Sequence, residues 1–463
     1  MSDVYSLLEK AAAAAESGEP EALAAHLEQA GEFSKDSPGL SDYFLAGLAT
    51  RLGGDRPANL YLRTDDMPQI DLFYLMHRHL PFLRAGKFAN DALLEYCADR
   101  QEATVLALGI GQGRQELDLV ARAGLERVTV IGVDVAAQSL DAAGRALNGP
   151  EVPAGTRVDF RPVLAASEDM DESVWAMVEH APRPLLVTAS FALHHMLNHS
   201  GEQDARAALL RRLRALEPAA LALCEPDSDH HLVPLRVRLA NAWHHYGTVF
   251  AAIDATSATD GEKHEMKRFF GREIEDVVGA AGETTRYERH EPTRTWLDRL
   301  TACGFTPVPL PRPAGEQPSG FTTTAHPTHL ELAYQHTSVA AVIVAEPTRR
   351  PGKRWWRGRP RRTGRGRCRT SGEYQLLTRP GAADRLTGRS SRPGRLPARW
   401  EACSQARTAT MQRGQQWTTG TWAQLDSGRF PATSTAGNWA PAPAGGSSKP
   451  WTRRPAPRWR SSI

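Results

Sequence analysis

The stretch Val105–Val120, VLALGIGQGRQELDLV, decides the fold. An apolar run ends in three glycines on alternate positions, Gly109, Gly111 and Gly113, and passes directly into a segment with helical spacing. A glycine-rich turn between a strand and a helix lets backbone approach a ligand and aims helix N-terminal N–H groups at it. The dinucleotide fingerprint G-x-G-x-x-G would require glycine at 114, where Arg114 stands. The observed G-x-G-x-G therefore lacks the third glycine that the pyrophosphate-cradling turn uses. NAD is disfavoured.

The alternation continues outward from this turn. RVTVIGVDV, RVDFRPV, PLLVTASF, AALALCEP, FTPVPL and SVAAVIVAE have strand patterns, and RQELDLVARAG and AQSLDAAGRALN have helical ones. Short apolar strands alternating with amphipathic helices predict an α/β domain with a largely parallel, buried sheet. Before it, three- and four-residue apolar spacing from Val4 to about Leu52 predicts a small helical region, and QIDLFYLMHRHLPFLRAGKFANDALLEYC predicts a further helical stretch leading into the first strand. Two more helical segments interrupt the pattern after Glu225. They are expected to overhang the strand ends and help build a lid.

Charge divides the chain. Of 56 Lys+Arg and 53 Asp+Glu, residues 347–463 hold 25 and 4, which leaves 31 and 49 for the first 346. The tail also has no valine, one isoleucine and eight of the eleven tryptophans, so it lacks the means to build a conventional core. It reads as a basic disordered tail able to bind a polyanion, as a bland extension, or as out-of-frame translation of a GC-rich gene, the last being favoured. The acidic front argues against nucleic-acid binding by the domain itself, leaving only the tail for it. The N-terminus has no signal-peptide pattern, and no run approaches the roughly 18 apolar residues that a membrane span requires. A cytoplasmic protein is expected. Five cysteines, without a CxxC pair, suggest neither a disulfide framework nor a zinc site.

The candidate site residues lie at strand ends. Asp134 closes the second strand, where a carboxylate can accept bonds from ribose hydroxyls or instead cap the next helix. His194 and His195 follow the fourth strand and Glu225 ends the fifth, the positions at which such sheets carry their chemistry. The histidines can equally be ordinary capping residues. His195 and His199 have i,i+4 spacing, but no third ligand is identifiable and no metal is expected.

With these residues in place, the front resembles the GRAS-domain family, known from plant transcriptional regulators, and within it a bacterial, methyltransferase-like branch of the class I S-adenosylmethionine-dependent methyltransferase superfamily. The likeness is collinear from about Ser41 to Glu346. It rests on GIGQGRQ with Gln112, Gly113 and Gln115, on TASFALHHML, on CEPDSDHHLVPLRVRLANAWHHYGTVFAAIDA, and on FFGREIEDVVGAAGETTRYERHEPTRTWLDRLTACGFTPVPL with its Glu-Arg-His-Glu run. Ala107 departs from the acid common at its position, and the family's closing Trp-rich segment is not recognisable after Glu346.

The resemblance implies a Rossmann-like methyltransferase sheet with an α-helical cap, divided into an N-terminal helical region at 1–95, a core at 96–346 with a cap insertion at about 228–282, and a disordered or frameshifted tail at 347–463. It implies S-adenosylmethionine bound by Gly109, Gly111, Gln112, Gly113 and Asp134, and methyl transfer to a small-molecule acceptor. His194, His195 and Glu225 are then the catalytic candidates, and Asn241, His245, Tyr246 and Arg272 the substrate-binding ones. For the helix ANAWHHYGTVF, the alternative is plain packing with aromatics inward and histidines outward. The rival function is a non-catalytic GRAS-type transcriptional regulator or small-ligand sensor.

Overall fold

The computed structural model describes residues 2–348 apart from 35–38, 54–68, 199–203, 283–284 and 312–316. The tail from 349 onward and His199 lie outside the described residues. Among the described residues nine strands form one sheet: β1 (Glu102–Leu108), β2 (Arg127–Asp134), β3 (Arg157–Leu164), β4 (Leu185–Ser190), β5 (Ala220–Pro226), β6 (Phe305–Val308), β7 (Phe321–Ala325), β8 (Leu330–Tyr334) and β9 (Thr337–Pro347). Their order is β3-β2-β1-β4-β5-β9-β8-β7, with β6 also paired to β9. The first five are mutually parallel, and β9 enters antiparallel beside β5, from Leu221↔Ala345 to Pro226↔Ala340. The chain therefore reverses its direction of sheet growth between β1 and β4, which opens a crevice at their carboxyl ends. This is a mixed α/β fold of Rossmann-like type.

Among the described residues twelve α-helices accompany the sheet: α1 (Ser2–Ser17), α2 (Pro20–Ser34), α3 (Leu40–Ala49), α4 (Gln69–His79), α5 (Ala85–Cys97), α6 (Arg114–Ala123), α7 (Ala137–Leu147), α8 (Glu172–Glu179), α9 (Ala205–Ala215), α10 (Leu235–Asp254), α11 (Asp260–Gly279) and α12 (Thr293–Ala302). Strand side chains alternate between faces, so each face of the sheet has its own core. Val105, Ala107, Val128 and Val130 join Leu93 of α5, Val120 of α6 and Tyr246 of α10. Leu106, Leu108, Ile131 and Val133 join Val178 of α8, Leu210 of α9 and Trp296 of α12. Both faces of β1, β2, β4 and β5 are covered, which explains why these parallel strands are nearly uniformly apolar, whereas the edge strand β3 carries Arg157, Asp159 and Arg161 and is largely uncovered.

Two features differ from the sequence reading. The helical stretch before β1 is broken: α4 stops at His79, Leu80 is extended (φ −110°, ψ 107°), and a short 3-10 turn, Pro81–Arg84, leads into α5. A residue preceding proline is pushed out of the helical region, and the break follows from Pro81. The antiparallel pair β7–β8 has no counterpart in the strand reading. In β7 a phenylalanine is followed by three threonines and an alanine, with Thr322 and Thr324 exposed, which left only weak alternation. Cys97, Cys224 and Cys303 are buried free thiols. Among the described residues no helix is long and apolar enough to cross a membrane.

The helices α1 and α3 pack on α10 and α11 with little room to spare. A Cβ on Gly47 of α3 would lie 2.6 Å from Val278 Cγ2 and 3.0 Å from the Glu275 Cα, whereas one on Gly261 of α11 would meet nothing within 4 Å. Gly47→Ala is expected to cost about 1–3 kcal/mol in urea unfolding, as overpacking does. Gly261→Ala should gain roughly 0.5–1 kcal/mol through helix propensity. Equal effects at both positions would contradict this packing.

Candidate functional site

The glycine turn is built as its spacing suggested, with all three glycines left-handed: Gly109 at φ +70°, Gly111 at +53° and Gly113 at +71°. A Cβ on Gly109 would lie 2.5 Å from the Ala192 Cβ, so the turn passes hard against the chain leaving β4. The turn's donors point inward. The Gly111 N–H donates to Asp134 Oδ2 (2.9 Å) and the Ala136 N–H to Asp134 Oδ1 (2.9 Å). The Gln112 N–H donates to the Tyr74 hydroxyl of α4 (3.2 Å), and the Gln112 side-chain amide to Asp71 Oδ1 (2.8 Å). Phe73 of α4 stands with its ring 6.0 Å from that of Phe191, at the end of β4. Asp134 thus ties the turn to the start of α7, and α4 lies against it.

A second constellation forms where β4 and β5 end. After β4 the chain makes a short 3-10 turn, Leu193–His195, over the carboxylate of Glu225. Glu225 Oε1 accepts the N–H groups of Ala192 (3.3 Å) and Leu193 (2.9 Å), and Oε2 lies 2.5 Å from His194 Nδ1. A carboxylate is an acceptor, so Nδ1 carries the proton. The carbonyls of the same turn are held from outside. Arg206 of α9 donates to Leu193 O (3.0 Å) and His194 O (2.8 Å), while Arg289 donates to His195 O. Burial opposes charge on His194, but Glu225 and Glu288 outweigh it and raise its pKa to about 9. His195 moves the other way, to about 3, through burial and the neighbouring His194.

The segment after α11 supplies the other wall. Glu288, Arg289, His290 and Glu291 are all buried, although they form a run of charged residues. Asp276 of α11 fixes this run by accepting the N–H groups of Tyr287 and Glu288 (2.8 Å each). Glu288 Oε2 sits 3.3 Å from His194 Nε2 and 3.2 Å from His290 Nε2. Glu291 pairs with Arg206 (3.1 Å) and Arg299 (2.5 Å). Burial pushes Glu273 well above the usual carboxylate range, with Glu288 adding to it. Its carboxylate accepts the Tyr246 O–H at 3.2 Å.

The structure brings His194, His195 and Glu225 together and places His245 and Tyr246 beside them. The His245 ring lies 5.6 Å from that of His290 and 5.8 Å from that of His230. On α10, His244 is exposed and His245 is buried, so the packing alternative with both histidines outward is corrected: adjacent helical residues point about 100° apart and only one faces the core. Asn241 donates to the Asp229 carbonyl (2.8 Å), and Arg272 is buried in α11. The glycine turn is a separate group of contacts. Glu288, His290, Glu291, Arg206 and His230 were given no role in the sequence reading. The available signal was the run Glu-Arg-His-Glu, whose charge gives no hint of burial.

Burial lowers the pKa of His230 and His245 well below the ordinary value, with the other imidazoles adding to it. Such rings are neutral in the folded state and ordinary when unfolded. Their contribution is present above about 6.5 and is lost as pH falls below it. The stability difference between the wild type and His245→Gln should therefore shrink as pH is lowered from 7 to 4, measured by urea unfolding. A difference independent of pH would contradict the neutral, buried ring.

Comparison with known proteins places this chain among relatives. The model of the GRAS domain family matches residues 4–333. Protein SLENDER RICE1-LIKE 1 of Oryza sativa subsp. japonica is 28% identical over 278 residues, covering 58% of this chain and 55% of that protein. Scarecrow-like transcription factor PAT1 of Arabidopsis thaliana is 25% identical over 293 residues, covering 58% of this chain and 59% of that protein. The chain thus spans a little over half the length of these curated relatives. The crystal structure of SCL7 in Oryza sativa superposes with a TM-score of 0.59 at 22% identity, covering 74% of this chain and 99% of that one, a likeness of fold.

Proposed function

Because the chain belongs to the GRAS domain family, we propose that it is a GRAS-type regulatory module whose Rossmann-like sheet serves recognition rather than methyl transfer. One observation carries this reading. The backbone N–H groups of Gly111 and Gln112, which a methyl donor would use, already donate to Asp134 and Tyr74, and each Asp134 oxygen already accepts a backbone N–H. Each of these N–H groups has a single proton, so both donors are spent within the fold, while each Asp134 oxygen keeps a further lone pair. The name of the Arabidopsis relative, a transcription factor, supports the same reading. The acidic front of the chain, 31 Lys+Arg against 49 Asp+Glu, favours regulation through protein contacts over direct binding to nucleic acid.

The methyltransferase reading retains one favourable observation, the exposed Gly109 at the mouth of a turn with three left-handed glycines. On that reading S-adenosylmethionine occupies the turn, and His194 or His195 serves as base toward a small-molecule acceptor. Calorimetry with S-adenosylmethionine separates the two. No saturable binding to the wild-type chain is expected, and Gly111→Asp, chosen because aspartate tolerates left-handed backbone, should complement a deletion strain's transcript changes as well as the wild type does. Saturable binding that Gly111→Asp abolishes, together with failed complementation by a folded Gly111→Asp chain, would reverse the assignment.

A further inference from the structure

Two consecutive histidines and one distant glutamate converge beside the strand ends. His194 Nε2 lies 3.3 Å from Glu288 Oε2, and His195 Nδ1 lies 3.5 Å from Glu288 Oε1. One ligand atom from each residue falls within 4.8 Å of the other two. We propose that His194, His195 and Glu288 bind a single divalent transition-metal ion of the zinc, cobalt or manganese class.

The spacing suits an ion. Ligand atoms about 2.0–2.2 Å from a tetrahedral centre stand roughly 3.3–3.6 Å apart, the separation of each imidazole from its nearer Glu288 oxygen, so one carboxylate faces both rings at ligand spacing. Two imidazoles and one carboxylate are the donor set of sites that leave coordination positions open, and they select a transition metal over calcium or magnesium.

The support around the ligands is also that of a metal site. Ligating histidines donate their second ring nitrogen to a carboxylate, and His194 Nδ1 stands 2.5 Å from Glu225 Oε2. Arg206 and Arg289 hold the carbonyls of the histidine turn, and Asp276 holds the Glu288 N–H, so every ligand projects from fixed backbone. A preorganised site loses little freedom when the ion arrives.

Glu288 supplies the independent observation. Its side chain is 0% exposed, and Oε1 has no hydrogen-bond partner. A buried carboxylate oxygen left without a hydrogen bond is costly, and a cation coordinated there removes the cost. His195 has 20% of its side chain exposed, so the triad lies close to the surface. The neighbouring group Glu273, Glu288 and His290 also brings ligand atoms within 4.8 Å, but all three are buried and Glu273 is engaged by Tyr246. Binding at the proposed triad exchanges the His194 Nε2 proton for the metal and releases it to solvent, with no change of oxidation state.

The test uses the untagged full-length chain, stripped with a chelator and titrated with cobalt(II), followed by visible absorption and elemental analysis. One cobalt per chain is expected, with the absorption of a low-symmetry site and displacement by zinc. His195→Asn should abolish the spectrum, Glu225→Gln should weaken binding about 10- to 100-fold, and His290→Asn should leave binding in place. His195→Asn carries the assignment if Glu288→Gln fails to fold, because His195 is partly exposed. Lack of saturable uptake by the wild type, unchanged uptake by His195→Asn, or loss confined to His290→Asn would overturn the proposal.

Discussion

The carboxylate of Glu225 is the constraint on which the rest of the site depends. It ends β5, yet its three bonds go to the chain leaving β4: two backbone N–H groups and the ring of His194. Without it, two buried N–H groups and a buried imidazole would lose their partner at once, each an uncompensated desolvation. On the far side of the same turn, Arg206 and Arg289 take the three carbonyls of residues 193–195. The turn is thus held on both its donor and its acceptor sides, and it presents His194 and His195 to the Glu288 segment in one orientation. Buried networks of this kind fix geometry more than they add stability.

This order has a functional consequence. The sheet keeps the topology of an α/β fold whose ligands bind at the carboxyl ends of strands, and two distinct groups stand there. In the glycine turn the donors face Asp134 and Tyr74. At the β4 and β5 ends, imidazoles and carboxylates face one another in a water-poor interior. The buried imidazole–carboxylate contacts therefore concentrate at the histidine turn, while the glycine turn ties β1 to β2 and α4. A regulatory module can use such a centre to report ligand state to the surrounding helices, since α10 and α11 contribute His245, Tyr246, Glu273 and Asp276 to it.

Much of this was legible in the sequence. The three glycines with the apolar run before them fixed β1 and α6; β1, β2, β4 and β5 were found because doubly covered strands are apolar throughout, and β3 because its apolar and charged residues alternate as on an edge strand. The positions of His194, His195 and Glu225 followed from the rule that chemistry gathers at strand ends. Other features were hidden for physical reasons. Strand β7 is a run of threonines with little apolar content and gives little periodicity. Pro81 divides what looks like one helical stretch. The run Glu288–Glu291 reads as a solvated loop, and only its partners Asp276, Arg206 and Arg299, distant in sequence, let it be buried. The inward turn of Asp134 depends on the backbone of Gly111, which no motif reports.

The central claim is that Glu225 holds the His194 ring with its proton on Nδ1, and nitrogen-15 NMR of histidine-labelled protein measures this directly. The account predicts a protonated Nδ1 on His194 at neutral pH, with an N–H resonance protected from exchange with solvent and lost in Glu225→Gln. A His194 ring protonated only on Nε2, or one whose Nδ1 proton exchanges as freely as that of the exposed His244, would contradict it.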